Sequence, residues 1–160
     1  MKNILVLGSG LVSRPGVHYL LGHKDFRITV ASLQKAEALV KGYENGIAIS
    51  LDINNTAKLV ELIKGNDIVI SLLPWTHHVK VAEHCLAQNT HMVTSSYVSK
   101  EMKAFDSEAK NKGLLFLNEI GVDPGIDHMS AMKIIDQVHS EGGKILHFYS
   151  YCGGLPAPKD

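Results

Sequence analysis

Short apolar runs alternate with longer amphipathic stretches along nearly the whole chain, and few folds accommodate that alternation. "NILVL" (Asn3 to Leu7), "FRITVA" (Phe26 to Ala31), "GIAISLD" (Gly46 to Asp52) and "DIVISLL" (Asp67 to Leu73) predict strands. "THMVTS" around His91 to Thr94, "LLFLN" (Leu114 to Asn118) and "KILHFYSYC" (Lys144 to Cys152) continue the series. The fourth run is almost wholly apolar, as suits a strand covered on both faces. Helical patterns fall between the runs. Leu11 to Leu21 puts Val12, Val17, Leu20 and Leu21 on one side. "LQKAEALVKG" stops at Gly42, and "TAKLVELIKG" ends at Gly65 with Leu59, Leu62 and Ile63 inward. Further helices are predicted over Thr76 to Gln88 and Ser99 to Lys112. A long one carries Ile126, Met129, Ile134, Ile135 and Val138 as its apolar set. Strand–helix alternation at this spacing implies parallel strands with right-handed crossovers. The expected architecture is an α/β doubly wound parallel sheet with the first two strands adjacent.

Composition narrows the function classes. The chain has 160 residues, 45% hydrophobic and 20% charged, an ordinary globular balance. Its formal net charge is zero, so no basic field draws it to nucleic acid or to an anionic membrane. No apolar run approaches the roughly 20 residues that span a bilayer, and the N-terminus enters a strand pattern at once. A cytoplasmic protein is expected, with Cys85 and Cys152 reduced. Neither cysteine sits in a C-x-x-C arrangement, and the nine histidines show no metal-ligand spacing, so no metal is expected.

The first strand runs straight into Gly8-Ser9-Gly10 and then a helix, the context in which a glycine pair signals a dinucleotide site. Gly8 would turn the chain sharply out of the strand, and Gly10 would let a pyrophosphate approach free peptide N–H groups at the helix start. Ser13 stands where a third glycine usually eases helix–strand packing, and its small side chain nearly meets that need. Pro15 falls in the first helical turns, where a missing N–H costs little. After the second strand the chain reads Ala31-Ser32-Leu33-Gln34-Lys35, without the carboxylate that binds the ribose hydroxyls of NAD. Ser32 and Lys35 could accept a 2′-phosphate, which leans towards NADP and leaves NAD open.

In a parallel sheet the other carboxyl ends face the same crevice. Asp52-Ile53 could bracket an adenine, and Leu73-Pro74 could lie against the nicotinamide side. His77 and His78 read as the start of the next helix. "TSSYVS" (Thr94 to Ser99), "NEIGVDPGIDHM" (Asn118 to Met129) and "SYCGGLPAP" (Ser150 to Pro158) gather polar residues and glycines at successive strand ends. That is more than turn chemistry requires. Asp123, taken alone, could be a helix N-cap.

Those three later motifs, with "VLGSGLVSRP" and "DIVISLLPWTHH", resemble the saccharopine dehydrogenase family, specifically its glutamate-forming reductases, over essentially the whole chain. The resemblance implies a Rossmann domain over 1–143, with 144–160 as the start of a substrate and dimerisation domain. Family chains are much longer, so these residues are expected to stop where that second domain begins. It also implies NAD(P)-dependent interconversion of saccharopine with glutamate and 2-aminoadipate semialdehyde, on a small-molecule substrate and in a homodimer. Carried over by position, cofactor contacts fall on Gly8, Ser9, Gly10, Leu11, Val12, Ser32, Leu33, Gln34, Asp52, Ile53, Leu73 and Val122. Substrate contacts fall on Ser96, Tyr97, Asp123 and Cys152, with Tyr97 and Asp123 as the candidate catalytic pair. Cys152 is expected to be a buried cysteine beside the crevice, since no step needs a thiol adduct. NADP-using members carry arginine where this chain has Leu33. Two alternatives stand: a nucleotide-binding module without catalysis, and an amine-joining reductase such as carboxynorspermidine dehydrogenase, against which "SYCGGLPAP" argues.

Overall fold

The structure, a computed structural model, describes residues 1–153. Six parallel strands form one sheet in the order β3-β2-β1-β4-β5-β6. They are β1 (Lys2–Leu7), β2 (Phe26–Ser32), β3 (Gly46–Ser50), β4 (Ile68–Ser71), β5 (His91–Thr94) and β6 (Phe116–Leu117). The helices are α1 (Ser13–Leu21), α2 (Ala36–Val40), α3 (Thr56–Lys64), α4 (His78–Gln88), α5 (Lys100–Ala104), α6 (Asp106–Asn111) and α7 (Ile126–Ser140). A 3₁₀ turn over Trp75–His77 leads into α4. Strand order reverses between β1 and β4, the position where doubly wound sheets open a ligand crevice.

Period-two alternation explains why β1 reads as continuously apolar. Ile4 and Val6 face one side, with Val17 and Leu21 of α1 and Leu39 of α2. Leu5 and Leu7 face the other, with Leu59 and Ile63 of α3 and Val81 of α4. Both faces are covered, so both sets must be apolar. Each fully buried leucine or valine contributes about 1.5–3 kcal/mol. Asn55 starts α3 by accepting the Lys58 peptide N–H at 3.1 Å, and Gly65 ends it. In the β1 register Leu7 lies beside Ala31 of β2 and Ser71 of β4, so the chain leaves all three strands at one level. That shared level builds the crevice.

Four expectations change. The seventh strand over Lys144 to Cys152 does not form: residues 144–152 have no regular structure and stand exposed. A strand needs an edge to pair with, and β6, at the sheet's edge, is only two residues long. The apolar set on α7 finds no core either; Ile126, Met129 and Ile134 are exposed, Ile135 and Val138 are half-buried, and none joins a core cluster. Val12 lies exposed in the glycine loop, while Val17 and Leu21 do the packing. The helix expected over Ser99 to Lys112 is broken at Phe105, whose ring packs against the core cluster beneath.

Candidate active site

Gly8 leaves β1 with φ 106°, and a Cβ there would lie 2.9 Å from the Leu72 carbonyl oxygen. Only glycine combines that backbone with that approach to the chain after β4. The peptide N–H groups of Ser9, Gly10, Leu11 and Val12 have no acceptor among the described residues. Around Gly10 nothing lies within 4 Å of a Cβ position, so the backbone there is open to an incoming group. The first turn of α1 carries no acidic side chain to neutralise its positive end. Ser13 is 1% exposed, and both its hydroxyl (2.7 Å) and its N–H (3.1 Å) donate to the Gly10 carbonyl. The serine thus packs under the loop and also fixes its shape. These groups fit a pyrophosphate: successive free donors at a helix start, no competing carboxylate, and room for close approach.

At the end of β2 the Ser9 and Ser32 hydroxyls lie 2.7 Å apart, and both reach the Gln34 carbonyl oxygen. Leu33 and Gln34 are exposed beside them, and Lys35 follows with φ 66°. Asp52 is exposed and accepts the Asn54 peptide N–H at 2.9 Å, which braces its own turn. Ile53 and Leu73 are partly buried against the core and floor the crevice. Val122 projects from the far side.

On that side the Gly121–Gly125 segment folds back on itself. The Gly121 N–H donates to the Pro124 carbonyl at 2.9 Å, and the Ile126 N–H donates to the Gly121 carbonyl at 2.9 Å. At Gly125 (φ 147°) a Cβ would overlap the Gly121 backbone. The Asp123–Pro124 peptide is cis. Asp123 therefore stands at the tip of a tight loop, and Gly125, not Asp123, precedes α7. The Asp123 carboxylate instead accepts the Tyr97 phenol hydrogen at 2.7 Å. That bond, with the carboxylate's charge, holds the phenol above its ordinary pKa, so Tyr97 keeps its proton. Asp123 also raises the thiol of Cys152, which is exposed and not buried as expected. Asp127, next along, accepts from the Gly125 N–H at 2.9 Å and lies 2.7 Å from the His128 ring. A cleft of about 460 Å³ lies between Trp75, Ser96, Tyr97, Ser99 and Asp123. It offers one carboxylate acceptor, hydroxyl donors and an exposed indole wall. A cleft of about 530 Å³ lined by Met1, Lys24, Arg27 and Tyr43 opens at the amino ends of the strands, away from these groups.

His78 does more than start a helix. Its ring is buried between the ends of β4 and β5, bonded to Ser71, Thr94 and Ser96. Burial, with the charge of neighbouring His77, pushes its pKa below the ordinary value. The one available signal was the run of hydroxyl residues at Ser71, Thr94 and Ser96, each at a strand end. Of the expected site residues, the fold brings Ser9 of the glycine loop against Ser32 and Gln34, sets Ser96, Tyr97 and Asp123 around one cleft, and places Cys152 beside Asp123. Gly154 to Pro158 of the last motif lie outside the described residues.

The fold and crevice define a Rossmann dinucleotide-binding domain of the 3-2-1-4-5-6 kind. The family model of the saccharopine dehydrogenase NADP binding domain matches residues 4–117, and that of the saccharopine dehydrogenase C-terminal domain matches 121–160. The chain is 48% identical over its whole length to "Saccharopine dehydrogenase [NADP(+), L-glutamate-forming]" of Schizosaccharomyces pombe, covering 36% of that protein. It is 43% identical over 99% of its length to mitochondrial alpha-aminoadipic semialdehyde synthase of Bos taurus, covering 17% of it. The apo, histidine-tagged L-Glu-forming saccharopine dehydrogenase of Saccharomyces cerevisiae superposes with TM-score 0.88 at 45% identity, over 99% of this chain and 36% of that one. This chain belongs to the saccharopine dehydrogenase family. It spans about a third of the length of the fungal relatives it matches.

Proposed function

We propose that the chain is the dinucleotide-binding part of an NADP-dependent, glutamate-forming saccharopine dehydrogenase, an oxidoreductase acting on a CH–NH bond in lysine metabolism. The observation that carries this is the Tyr97–Asp123 pair, hydrogen-bonded at 2.7 Å between the segments that follow β5 and β6 and lining one cleft with Ser96. The kinship with fungal glutamate-forming enzymes supports it. When bound, NADP supplies a hydride acceptor. The hydride of saccharopine's CH–NH bond would pass to it while the nitrogen loses its proton; water would then add to the resulting imine and the C–N bond would break, leaving glutamate and 2-aminoadipate semialdehyde.

The chain's own residues hold and orient. The free N–H groups of Ser9 to Val12, with Gly8 shaping the turn, bind the pyrophosphate. Ser32, Leu33 and Gln34 border the adenosine ribose, where the hydroxyls of Ser9 and Ser32 can turn from the Gln34 carbonyl towards a 2′-phosphate. Asp52 and Ile53 flank the adenine; Leu73 and Val122 line the nicotinamide half. Asp123 accepts a hydrogen from the substrate amine, Tyr97 fixes that carboxylate, and Ser96 and Cys152 border the substrate.

The test is turnover by the full reading frame containing this chain. NADP reduction dependent on saccharopine is expected, with NADPH bound more tightly than NADH. Dinucleotide binding without such turnover would leave a non-catalytic module, and turnover of a carboxynorspermidine substrate instead would reassign the enzyme. A roughly tenfold preference for NADH would overturn the cofactor choice.

In place of the division between 143 and 144 that the resemblance implies, we propose a boundary after the sheet, between Leu117 and Gly121, with α7 in a second domain that covers its exposed apolar residues. The break between the two family matches and the absence of α7 from both core clusters support this. No helix of the described residues is long and apolar enough to cross a membrane. A homodimer in the cytoplasm completes the proposal; sedimentation and cell fractionation of the full-length protein test it.

A further inference from the structure

His78, 4% exposed, opens α4 with its ring wedged between the carboxyl ends of β4 and β5. Its Nδ1 lies 2.9 Å from the Ser71 hydroxyl. Its Nε2 lies 2.8 Å from the Ser96 hydroxyl and 3.1 Å from the Thr94 hydroxyl. Thr94 Oγ1 also accepts the Ser96 peptide N–H at 3.3 Å. Ser71 is fully buried, and His78 is its side chain's partner among the described residues. Ser96 is the one hydroxyl of this group that borders the cleft with Tyr97 and Asp123.

Hydrogen counting shows what the cluster can do. A neutral imidazole has one ring hydrogen and one acceptor nitrogen, whereas each hydroxyl both donates and accepts. If the Ser96 hydrogen points at Nε2, it is unavailable to a ligand. If the ring hydrogen sits on Nε2, Ser96 accepts from the ring, its own hydrogen turns into the cleft, and Ser71 donates to Nδ1. An acceptor oxygen in the cleft therefore selects the second arrangement and sets every bond back to β4. The bare alternative, a histidine that only seals the sheet end, has no need of a partner lining the cleft.

We propose that His78 is a positioning residue for the reaction above: its Nε2 holds the Ser96 hydroxyl so that Ser96 donates its hydrogen to an acceptor oxygen of the bound ligand. This rests on the dehydrogenase reading for the identity of the ligand, whose acceptor oxygen belongs either to a carboxylate of the substrate or to the dinucleotide.

The experiment uses the full-length protein containing this chain, with Ser96→Ala, His78→Ala, His78→Gln and the Ser96→Ala/His78→Ala double variant. Ser96→Ala and His78→Ala are each expected to raise KM for saccharopine about tenfold, with kcat changed less than about twofold, as loss of one hydrogen bond predicts. The double variant is expected to be no worse than Ser96→Ala, because both remove the same interaction. His78→Gln, whose amide can still reach Ser96, should recover part of the loss. If the dissociation constant for NADPH rises instead with the same non-additivity, the acceptor lies on the dinucleotide and the proposal stands. Multiplicative single effects, or lowered thermal stability with unchanged KM and NADPH affinity, would overturn it.

Two further arms need no turnover. In ¹⁵N-labelled protein the His78 Nε2 resonance is expected to take the protonated-nitrogen position on ligand addition, and to lose that response in Ser96→Ala. A ring hydrogen on Nδ1 in the ligand-bound state would refute the relay. Ser71→Ala keeps the ring in place should His78→Ala fail to fold; it is expected to weaken the same ligand although Ser71 never touches it, and unchanged affinity counts against the proposal. Failure of saccharopine turnover in the unmodified protein would sink the dehydrogenase reading alone, since the resonance arm, read with NADPH and with saccharopine added separately and together, reports binding and not turnover.

Discussion

Gly8 and Gly10 stand two residues apart in one loop, yet they should fail in opposite ways when each is changed to alanine. At Gly8 the backbone has φ 106°, a conformation that alanine adopts only under strain. That strain costs about 1–3 kcal/mol. The new Cβ would also sit 2.9 Å from the Leu72 carbonyl oxygen, a rigid backbone atom that must move. Gly8→Ala is therefore expected to lose about 2–4 kcal/mol of folding stability. At Gly10 the Cβ meets nothing within 4 Å and φ is not in the strained range. Gly10→Ala is expected to change stability by less than about 0.5 kcal/mol. Its methyl would, however, occupy the space through which a phosphate reaches the free N–H groups of Ser9 to Val12. Losing one or two hydrogen bonds to a charged phosphate, at about 1.5–3 kcal/mol each, weakens NADPH binding by at least about tenfold. Urea denaturation and NADPH fluorescence titration of the two variants, side by side, read both axes. If Gly10→Ala destabilises the fold as much as Gly8→Ala does, the loop is a structural turn and not a phosphate cradle. If it binds NADPH normally, the phosphates do not approach where the loop is open.

The two thiols should behave differently. Cys85 is fully buried and pushed up to about 12, while Cys152 is exposed. One thiol is expected to react with a disulfide reagent at neutral pH in the native protein and both in urea; two fast thiols in the native state would contradict the core packing under α4. His78 adds a pH dependence. Its native pKa lies below the ordinary 6.5, so as pH falls past that value the unfolded chain binds a proton that the native chain refuses. Stability should fall with decreasing pH from about 6.5 down to the native pKa, with a slope of up to about 1.4 kcal/mol per pH unit, and stay flat above about 7.5. Denaturation curves of the unmodified chain and His78→Gln across this range isolate the effect; equal slopes in the two proteins would refute it.

What could be read from the sequence was what local chemistry decides. Period-two burial on both faces made β1 and β4 visible as apolar runs, and the glycine pair after β1 located the crevice because the turn needs a residue without Cβ at Gly8 and a phosphate needs open backbone at Gly10. Leu59 and Ile63 were placed inward correctly by their spacing on α3. Two of the errors share one source. The alternating pattern from Lys144 to Cys152 is a strand pattern, and the periodic apolar residues of α7 are those of a packed helix, but neither pattern says what would lie opposite. Strand and helix signals record a demand for burial; within the described residues nothing meets that demand after β6.

The same distinction separates Asp123 from His78. Asp123 lies in a turn whose Pro and Gly mark it locally, so its position in the crevice was open to inspection even though its bond to Tyr97, 26 residues away, was not. His78 has no local mark at all. A histidine opening a helix is ordinary, and its meaning comes only from Ser71, Thr94 and Ser96, which the parallel register of β4 and β5 brings to one level. Register is a property of pairing, and no single strand encodes it. Ser13 sits between these cases. Its place in the glycine fingerprint gave it away as a substitute, while its hydroxyl's bond to the Gly10 carbonyl shows what glycine could not have supplied there. A loop held from beneath in this way is fixed before any phosphate arrives, so its donors need no reorganisation when they bind one.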